Sequence, residues 1–404
     1  MNILIVTQYF WPENFRINDL AAGLQARGHK VTVLTGFPNY PQGSFYAGYG
    51  IKGPYTEDMN GVRVVRVPLV PRGRKKGLKL ALNYLSFSVL SCLVAPFRCR
   101  ENYDAVIVWC VSPNTVALSA LLLKALRGVP VYTWVADLWP DTLVATGVVK
   151  SRFAIRAVTA LVKLIYRFSD LILIASKGYR ARIEALGVRA EKIIYWPQWA
   201  ESAYTVPLDK EKKVTLPAAA RGFKILYAGN IGSSQGFPTI VEAASRLKRE
   251  AAVDWLILGD GVQLPWVLQR VDALGLKDNF HFLGTCPVEQ VPYYAAEADA
   301  LLAALRKDPL FEITVPGKVQ SCLACGRPII ASFDGEAADI VSASGAGFTG
   351  AADDVQGLVD AVLRMMALSA EQRAAMGRAG REYFKKHFER DVLFSKLETM
   401  LSKR

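Results

Sequence analysis

Residues 223–237 read FKILYAGNIGSSQGF. A short apolar run ends in a turn of Gly, Asn and Ser, and a helical stretch follows. Residues 1–15, MNILIVTQYFWPENF, follow the same plan. The two stretches open the two halves of a 404-residue chain, too long for one ordinary core. Between them, VPLDKEKKVTLPAAARG at 206–222 is polar, charged and proline-bearing, with no periodicity. We place a linker there. A first domain then covers 1–205 and a second 223–387.

Strands are expected at 2–7, 30–36, 62–69, 105–110, 129–136, 171–176 and 192–197 in the first half. In the second they are expected at 223–229, 254–259, 280–284, 300–305, 327–332 and 346–349. Runs such as AVIVWC and KILYAG are apolar throughout, the mark of parallel strands buried on both faces. Their alternation with helical stretches predicts an α/β fold of two Rossmann-like, doubly wound domains. Ligands of such sheets bind beyond the carboxyl ends of the strands.

Hydrophobic residues make up 51% and charged residues 21%, as in a globular protein. The start, Met1-Asn2-Ile3-Leu4-Ile5-Val6, lacks the basic region of a signal peptide and reads as a strand, so a cytoplasmic protein is expected. Its six cysteines are then expected as free thiols. Residues 1–205 hold 25 Lys and Arg against 12 Asp and Glu, while 206–404 hold 24 of each. The whole excess of +13 lies in the first half. Such a field draws polyanions or anionic lipid headgroups, or serves solubility alone.

LALNYLSFSVLSCLVAPF at 80–97 carries no charge and lies between the basic flanks PRGRKKGLK and RCR. Spanning a membrane would split one sheet between two compartments, and Asn83 and the serines weaken that case. A helix in the membrane interface is expected, its basic flanks on anionic headgroups. A helix packed on its own sheet is the alternative.

The chemistry concentrates in FEITVPGKVQSCLACGRPIIAS, residues 311–332. Cys322 and Cys325 have CxxC spacing, but no second pair and no matching histidines complete a zinc set. Both fall within the helical run 318–325 and read as small core residues. Pro316 leads into that run, so Gly317 and Lys318 stand at a helix start, where free N–H groups and the dipole favour an anion. Gly326 is expected to end the helix. Further glycine turns follow strands at 229–237, with Asn230 and Gly232, and at 258–261, with Gly259 and Gly261. Together they suit a polyanion site at adjacent strand ends, and each alone suits an ordinary turn. There is no GxxxxGK[ST] and no GxGxxG after a strand, so P-loop and dinucleotide readings fail.

The motifs PGKVQSCLACGRPIIAS with Glu312 upstream, YFWPENFRINDLAAGLQARGHKVTVLTGFPNYPQG, WVADLWPD, YAGNIGSSQGF and LGDG stand in one order along nearly the whole chain. In that order they resemble the retaining family-four glycosyltransferases, and within them the bacterial O-antigen and capsule branch that includes N-acetylfucosamine transferases. The resemblance implies the GT-B fold: two Rossmann-like domains facing across a cleft, and a last helix, 388–404, returning to the first domain. It implies a nucleotide-sugar donor on the second domain, UDP-linked and N-acetylated in that branch. A lipid-diphosphate-linked sugar is the implied acceptor on the first domain.

By the same resemblance, Glu312 holds the donor sugar and position 320 the ribose. The family pattern is Glu-x7-Glu, and here the second place is Gln320, which forms only uncharged hydrogen bonds. The basic pair that the family carries after the first strand of this domain is absent from Asn230–Gln235. Lys318 and Arg306 or Lys307 are left to supply that charge. Asp137 at a strand end is placed near the reacting centre, although an Asp before Leu-Trp-Pro also suits a helix cap. Glu13 and Arg16 are placed on the acceptor side. No paired-Asp metal motif is evident, since Asp353-Asp354 reads as a polar turn away from the glycine turns. A metal-independent transferase with no cofactor is expected, peripheral on the inner face of the plasma membrane. A nucleotide-sugar 2-epimerase of the same fold is the first rival, and a basic nucleic-acid-binding protein the second. Three histidines are few for an epimerase, and no recognition motif supports the second.

Overall fold

The computed structural model describes all residues except 51, 74–76, 146, 148, 150, 206, 207, 210, 213, 403 and 404. Arg74, Lys75 and Lys76 of the basic flank therefore lie outside the described residues. The chain divides into two compact units, Met1–Pro197 with Phe394–Arg404, and Gln198–Leu393.

The first unit is built on an eight-stranded sheet. Its strands are β1 (Asn2–Val6), β2 (Lys30–Gly36), β3 (Thr56–Met59), β4 (Val62–Val67), β5 (Ala105–Cys110), β6 (Val131–Val135), β7 (Leu171–Ile174) and β8 (Ile193–Tyr195). They lie in the order β3-β4-β2-β1-β5-β6-β7-β8. All neighbours are parallel except β3 and β4. The second unit holds β9 (Phe223–Ala228), β10 (Val253–Leu258), β11 (Phe280–Gly284), β12 (Ala300–Ala304), β13 (Ile329–Ser332) and β14 (Gly347–Gly350). They form one parallel sheet, ordered β11-β10-β9-β12-β13-β14.

Each expected strand forms, with ends shifted by at most two residues. The central strands are buried along their length, as parallel strands covered on both faces must be. Only β3 went unforeseen. Thr56-Glu57-Asp58-Met59 has no apolar alternation, because it is an edge strand whose Glu57 pairs with the buried Arg66 at 2.5 Å. Its signal was the turn that follows: Asn60 and Gly61 both take positive φ, 52° and 86°, the backbone of a two-residue hairpin.

The last helix, Arg390–Ser402, joins the first unit from Phe394 onward. Phe394, Leu397 and Leu401 are buried. Glu398 receives Arg27 through two bonds of 2.9 Å and His29 at 2.8 Å.

Residues 80–97 fall in the helix Leu78–Arg98. It is long and apolar enough to cross a membrane by length and composition, yet it packs on its own unit. Its polarity is inverted. The face turned inward carries Asn83, Ser88 and Ser91, all buried, beside Leu80, Phe87 and Ala95. Asn83 accepts from Gln8 Nε2 at 2.6 Å and donates to the Val70 carbonyl at 2.6 Å. Ser88 and Ser91 donate to helix carbonyls one turn back. The face turned outward carries Leu78, Leu82, Leu85, Val89, Leu93 and Phe97, at successive helical turns. Leu78 is 76% exposed and Phe97 66%. The Asn and Ser residues thus say nothing against an apolar outer face, because they lie on the other one.

Asn83→Leu keeps the volume but strands the Gln8 amide and the Val70 carbonyl inside the fold. We expect a loss of about 2 to 4 kcal/mol in denaturant unfolding, the cost of two buried groups losing their partners. An unchanged midpoint would show that Asn83 is not the pin that holds this helix.

Candidate active site

In the second unit, the loop 229–236 leaves β9 at its carboxyl end and is the hub of the candidate residues. It is tied to the turn after β10 by backbone bonds that prolong the sheet. Gly229 N–H donates to Leu258 O, Ile231 N–H to Asp260 O, and Gln263 N–H to Ile231 O, at 2.8 to 3.0 Å. Gly259 has φ of 149°, and a Cβ there would overlap the Gly229 carbonyl; one at Gly261 would overlap that of Ile231. These two glycines therefore have a packing reason: two loops lie backbone to backbone. Gly232 is buried against the Asn230 amide, and Asn230 itself is exposed.

Lys318 meets this loop from the helix Gly317–Cys325, whose N-cap residue, Pro316, supplies no side-chain cap. Its Nζ lies 3.2 Å from the centre of the Tyr227 ring and 3.5 Å from Gln235 Oε1. Tyr227 donates its hydroxyl to the Asn230 carbonyl at 2.6 Å and also reaches Gln235 Oε1 at 3.1 Å. A Cβ at Gly229 would touch Lys318 Nζ at 3.4 Å, so only a glycine leaves the ammonium this close to the backbone. Desolvation lowers the Lys318 pKa to about 7, with the Cys322 thiol the only opposing influence. A lysine so placed carries its charge at neutral pH only in part and gains it fully when an anion arrives. Tyr227 and Gln235 were not among the sequence candidates. Gln235 could have been found as the one long polar side chain in GNIGSSQGF.

Gln320, two residues further along that helix, is fully buried. Neither its Oε1 nor its Nε2 has a partner among the described residues. A buried amide with both ends unpaired is costly unless something polar meets it. Glu312 ends the short helix Pro309–Glu312 and is exposed. Arg306 follows β12; its backbone N–H donates to Ser234 O at 2.9 Å, and its guanidinium pairs with Asp308 at 3.0 Å. That pairing takes part of the charge the sequence reading assigned to it. Arg306 lines a cleft of about 650 Å³ with Ser233, Gly236, Trp266, Arg270 and Asp353. Asp353, expected away from the glycine turns, is thus beside Gly236. The reason is its positive φ of 57°, which turns its carboxylate back to accept the Lys307 N–H at 3.0 Å. Asp354 points the other way and caps the next helix.

Cys322 packs in the apolar core of this unit with Val319, Leu323 and Ile329. Burial pushes its thiol up to about 12 and that of Cys325 higher still. Both are protonated at neutral pH, as core residues are. Among the described residues, no group of three His, Cys, Asp or Glu is placed to hold a metal ion.

In the first unit, Asp137 follows β6. Its Oδ2 accepts from the Ser112 hydroxyl at 2.7 Å and from the Ser112 N–H at 3.1 Å. Trp139 Nε1 in turn donates to the Ser112 hydroxyl at 2.9 Å. Desolvation raises the Asp137 pKa against the pull of Ser112. Its Oδ1 accepts no hydrogen bond from any described residue. Ser112 was missed; it follows β5, the neighbour of β6, so the sheet order brings it to Asp137 although 25 residues separate them.

Glu13, which the resemblance puts on the acceptor side, is held by the backbone around it. It is 1% exposed, and its carboxylate accepts the backbone N–H groups of Asn39 and Tyr40 at 2.7 Å and of Phe10 at 3.2 Å. It clamps the loop after β1 to the loop after β2. Desolvation outweighs these bonds and raises its pKa to about 7. Arg16 immediately precedes the helix Ile17–Ala26 and is half-buried.

The description "Glycosyl transferase 4-like domain" matches residues 14–199, and "Glycosyl transferases group 1" matches 222–367. Sucrose-phosphate synthase from Thermosynechococcus elongatus superimposes with a TM-score of 0.74 at 18% identity, covering 99% of this chain and 98% of that one. Anabaena Alr3699/HepE, solved with UDP and glucose, gives 0.72 at 15% identity and covers both chains fully. These likenesses establish the fold class, two Rossmann-like domains of the GT-B type. The chain is a glycosyltransferase of this fold. Among its relatives is the Escherichia coli (strain K12) glycosyl transferase WcaI, named for colanic acid biosynthesis. It is 26% identical over 340 residues, which cover 81% of this chain and 82% of WcaI.

Glu13 provides a test of the clamp. Its pKa is raised in the fold, so the folded state holds the proton that the unfolded chain releases near pH 4.5. Stability from this group is full below that pH and is lost as pH rises through about 7, by roughly 3 kcal/mol in all. Glu13→Gln keeps an Oε1 for Asn39 and Tyr40 and cannot ionise. We expect its unfolding free energy to lack the decline between pH 5 and 7 seen in the parent. Parallel profiles would place the titration elsewhere.

Proposed function

We propose that this glycosyltransferase moves a sugar from UDP to a lipid-diphosphate-linked acceptor, with retention of anomeric configuration and without a metal, in building a bacterial surface polysaccharide. The observation that carries the donor half is the pair Lys318 and Gln320 at one helix start. One is a desolvated cation beside the loop 229–236, and the other is a fully buried amide with no partner among the described residues. A nucleoside diphosphate answers both: its phosphates restore the charge of Lys318, and its ribose hydroxyls occupy Gln320. Uncapped N–H groups at Gly317 add to Lys318 as charge grows on the departing diphosphate. Glu312 holds the sugar hydroxyls and Arg306 the outer edge of the site. Asn230, Gly232, Gly259 and Gly261 keep the loop backbone close.

The base and sugar follow from likeness. The Anabaena structure binds UDP and glucose, and the sequence resembles a branch that transfers N-acetylated sugars, N-acetylfucosamine among them. WcaI supports a place in exopolysaccharide synthesis. On the acceptor side, Asp137 offers its free Oδ1 to an acceptor hydroxyl. Glu13 acts as a positioning residue through the loops it clamps, and Arg16 stands at the mouth of those loops. The outer face of Leu78–Arg98 supports residence on the inner surface of the plasma membrane.

Lys318 makes donor binding pH-dependent. Above pH 7 the free enzyme must take up a proton to bind the diphosphate, so the dissociation constant for UDP, measured in EDTA, rises by up to about tenfold per pH unit. Lys318→Met should bind weakly and with a flat profile. A flat profile in the parent would remove Lys318 from the site.

The membrane reading has its own test. Leu82→Glu with Phe97→Glu should release the protein from phosphatidylglycerol vesicles in a flotation assay while leaving UDP binding unchanged. Unaltered flotation would assign that face to something other than lipid.

A further inference from the structure

The outer helix Leu78–Arg98 is not only a face. Together with Arg152–Phe168 and the segment 113–118 it walls a groove of about 960 Å³ inside the first unit. Leu85, Val89, Leu118, Val158 and Leu161 line it, so its walls are almost wholly apolar. Its volume is at the upper end for a single bound molecule.

Two of its lining side chains lead to polar groups. Trp139 lines it, and its indole N–H holds Ser112, which holds Asp137. Tyr84 also lines it, and its hydroxyl pairs with that of Tyr9 within the field of both Asp137 and Arg72. Arg72 Nη1 reaches the Tyr9 hydroxyl at 3.4 Å. Its guanidinium lies 4.7 Å from the centre of the Tyr40 ring and 6.0 Å from that of Tyr9. Tyr9 stacks on Phe15, and Tyr40 packs against both at a tilt, which fixes the Tyr9 and Tyr40 rings. Arg72 has no carboxylate partner among the described residues. A cation held by aromatic faces and left without a counter-ion is set for an anion from outside.

We propose that this groove binds the isoprenyl chain of the diphosphate-linked acceptor, with Arg72 taking the diphosphate. The groove offers the apolar wall that the chain of such a lipid needs, Arg72, reached through Tyr84 and Tyr9, offers a cation for the diphosphate, and Asp137, reached through Trp139 and Ser112, offers a carboxylate for a sugar hydroxyl. The inference rests on the reading of a lipid-linked acceptor and adds the surface that recognises the lipid. Charge complementarity selects the occupant, because a neutral chain would leave Arg72 unpaired.

The test is direct binding of farnesyl diphosphate, without detergent, to the full chain by calorimetry. Inorganic diphosphate, dihexanoyl phosphatidylglycerol and UDP are run beside it. Farnesyl diphosphate should bind at least about tenfold more tightly than inorganic diphosphate. Arg72→Ala and the groove-filling Leu161→Trp should each weaken it at least about tenfold. Leu161→Trp should float with vesicles as the parent does, and Leu82→Glu with Phe97→Glu should keep farnesyl diphosphate. Leu118→Trp is the second filling variant should Leu161→Trp fail to fold. Three results overturn the proposal. The first is parental affinity in a folded filling variant. The second is equal competition by the short phospholipid, which would make the groove an acyl-chain site. The third is loss of farnesyl diphosphate only together with vesicle binding, which would make it part of the bilayer contact. UDP separates the two readings: UDP bound without farnesyl diphosphate sinks only the groove, and no UDP binding sinks the donor site.

Discussion

A parallel strand buried on both faces can be followed by another only after the chain crosses back over the sheet. Every connection in both units obeys this constraint, apart from the two that flank β3, which runs antiparallel to β4. The crossing collects one set of loops at the carboxyl ends of the strands, where side chains from distant positions in sequence meet. Gly229, Gly259 and Arg306 follow β9, β10 and β12, three adjacent strands of one sheet. Ser112 and Asp137 follow β5 and β6 in the other. The candidate chemistry of each unit is therefore a consequence of strand order before it is a matter of any particular residue.

Two titratable groups show how burial divides labour at those ends. Glu13 and Lys318 are both shifted to about 7 by the same cause, loss of water. Glu13 spends its oxygens on three backbone N–H groups and so orders two loops. Lys318 has a ring, a glycine and one distant amide oxygen around its ammonium, none of which is an anion. The saturated group is architecture, and the unsaturated one is open to a ligand. Glu13, Lys318 and Gln320 were all picked out from motifs, but the motif cannot say which of them has its hydrogen bonds satisfied at home.

The helix Leu78–Arg98 carries the same lesson in packing. Composition shows an uncharged stretch with a few polar residues, which the sequence alone reads as an interfacial helix, with a helix packed on its own sheet as the alternative. The distinction lies in which face is turned inward. Burying Asn83, Ser88 and Ser91 is tolerable only because Gln8, Val70 and the helix carbonyls meet them. Those partners come from loops and strands that no local pattern connects to residue 83. Once they are supplied, the leucines are left outside, and the groove beside them follows.

The sequence by itself determined every parallel strand, the two-domain plan and the family, because buried parallel strands and glycine turns are written in local composition. It also marked Lys318, Gln320 and Asp137 by motif. It missed β3, whose pairing depends on an edge and a hairpin rather than on apolar content, and it missed Ser112, Tyr227 and Gln235, which matter only through what they touch. It set Asp353 apart from a loop it adjoins, and it gave no sign that Glu13 spends its carboxylate on three backbone N–H groups. Tertiary structure alone decided those placements, the inverted helix and the position of Arg72. Each depends on whether a polar group finds its partner across the fold, and such partners lie tens of residues away in the chain.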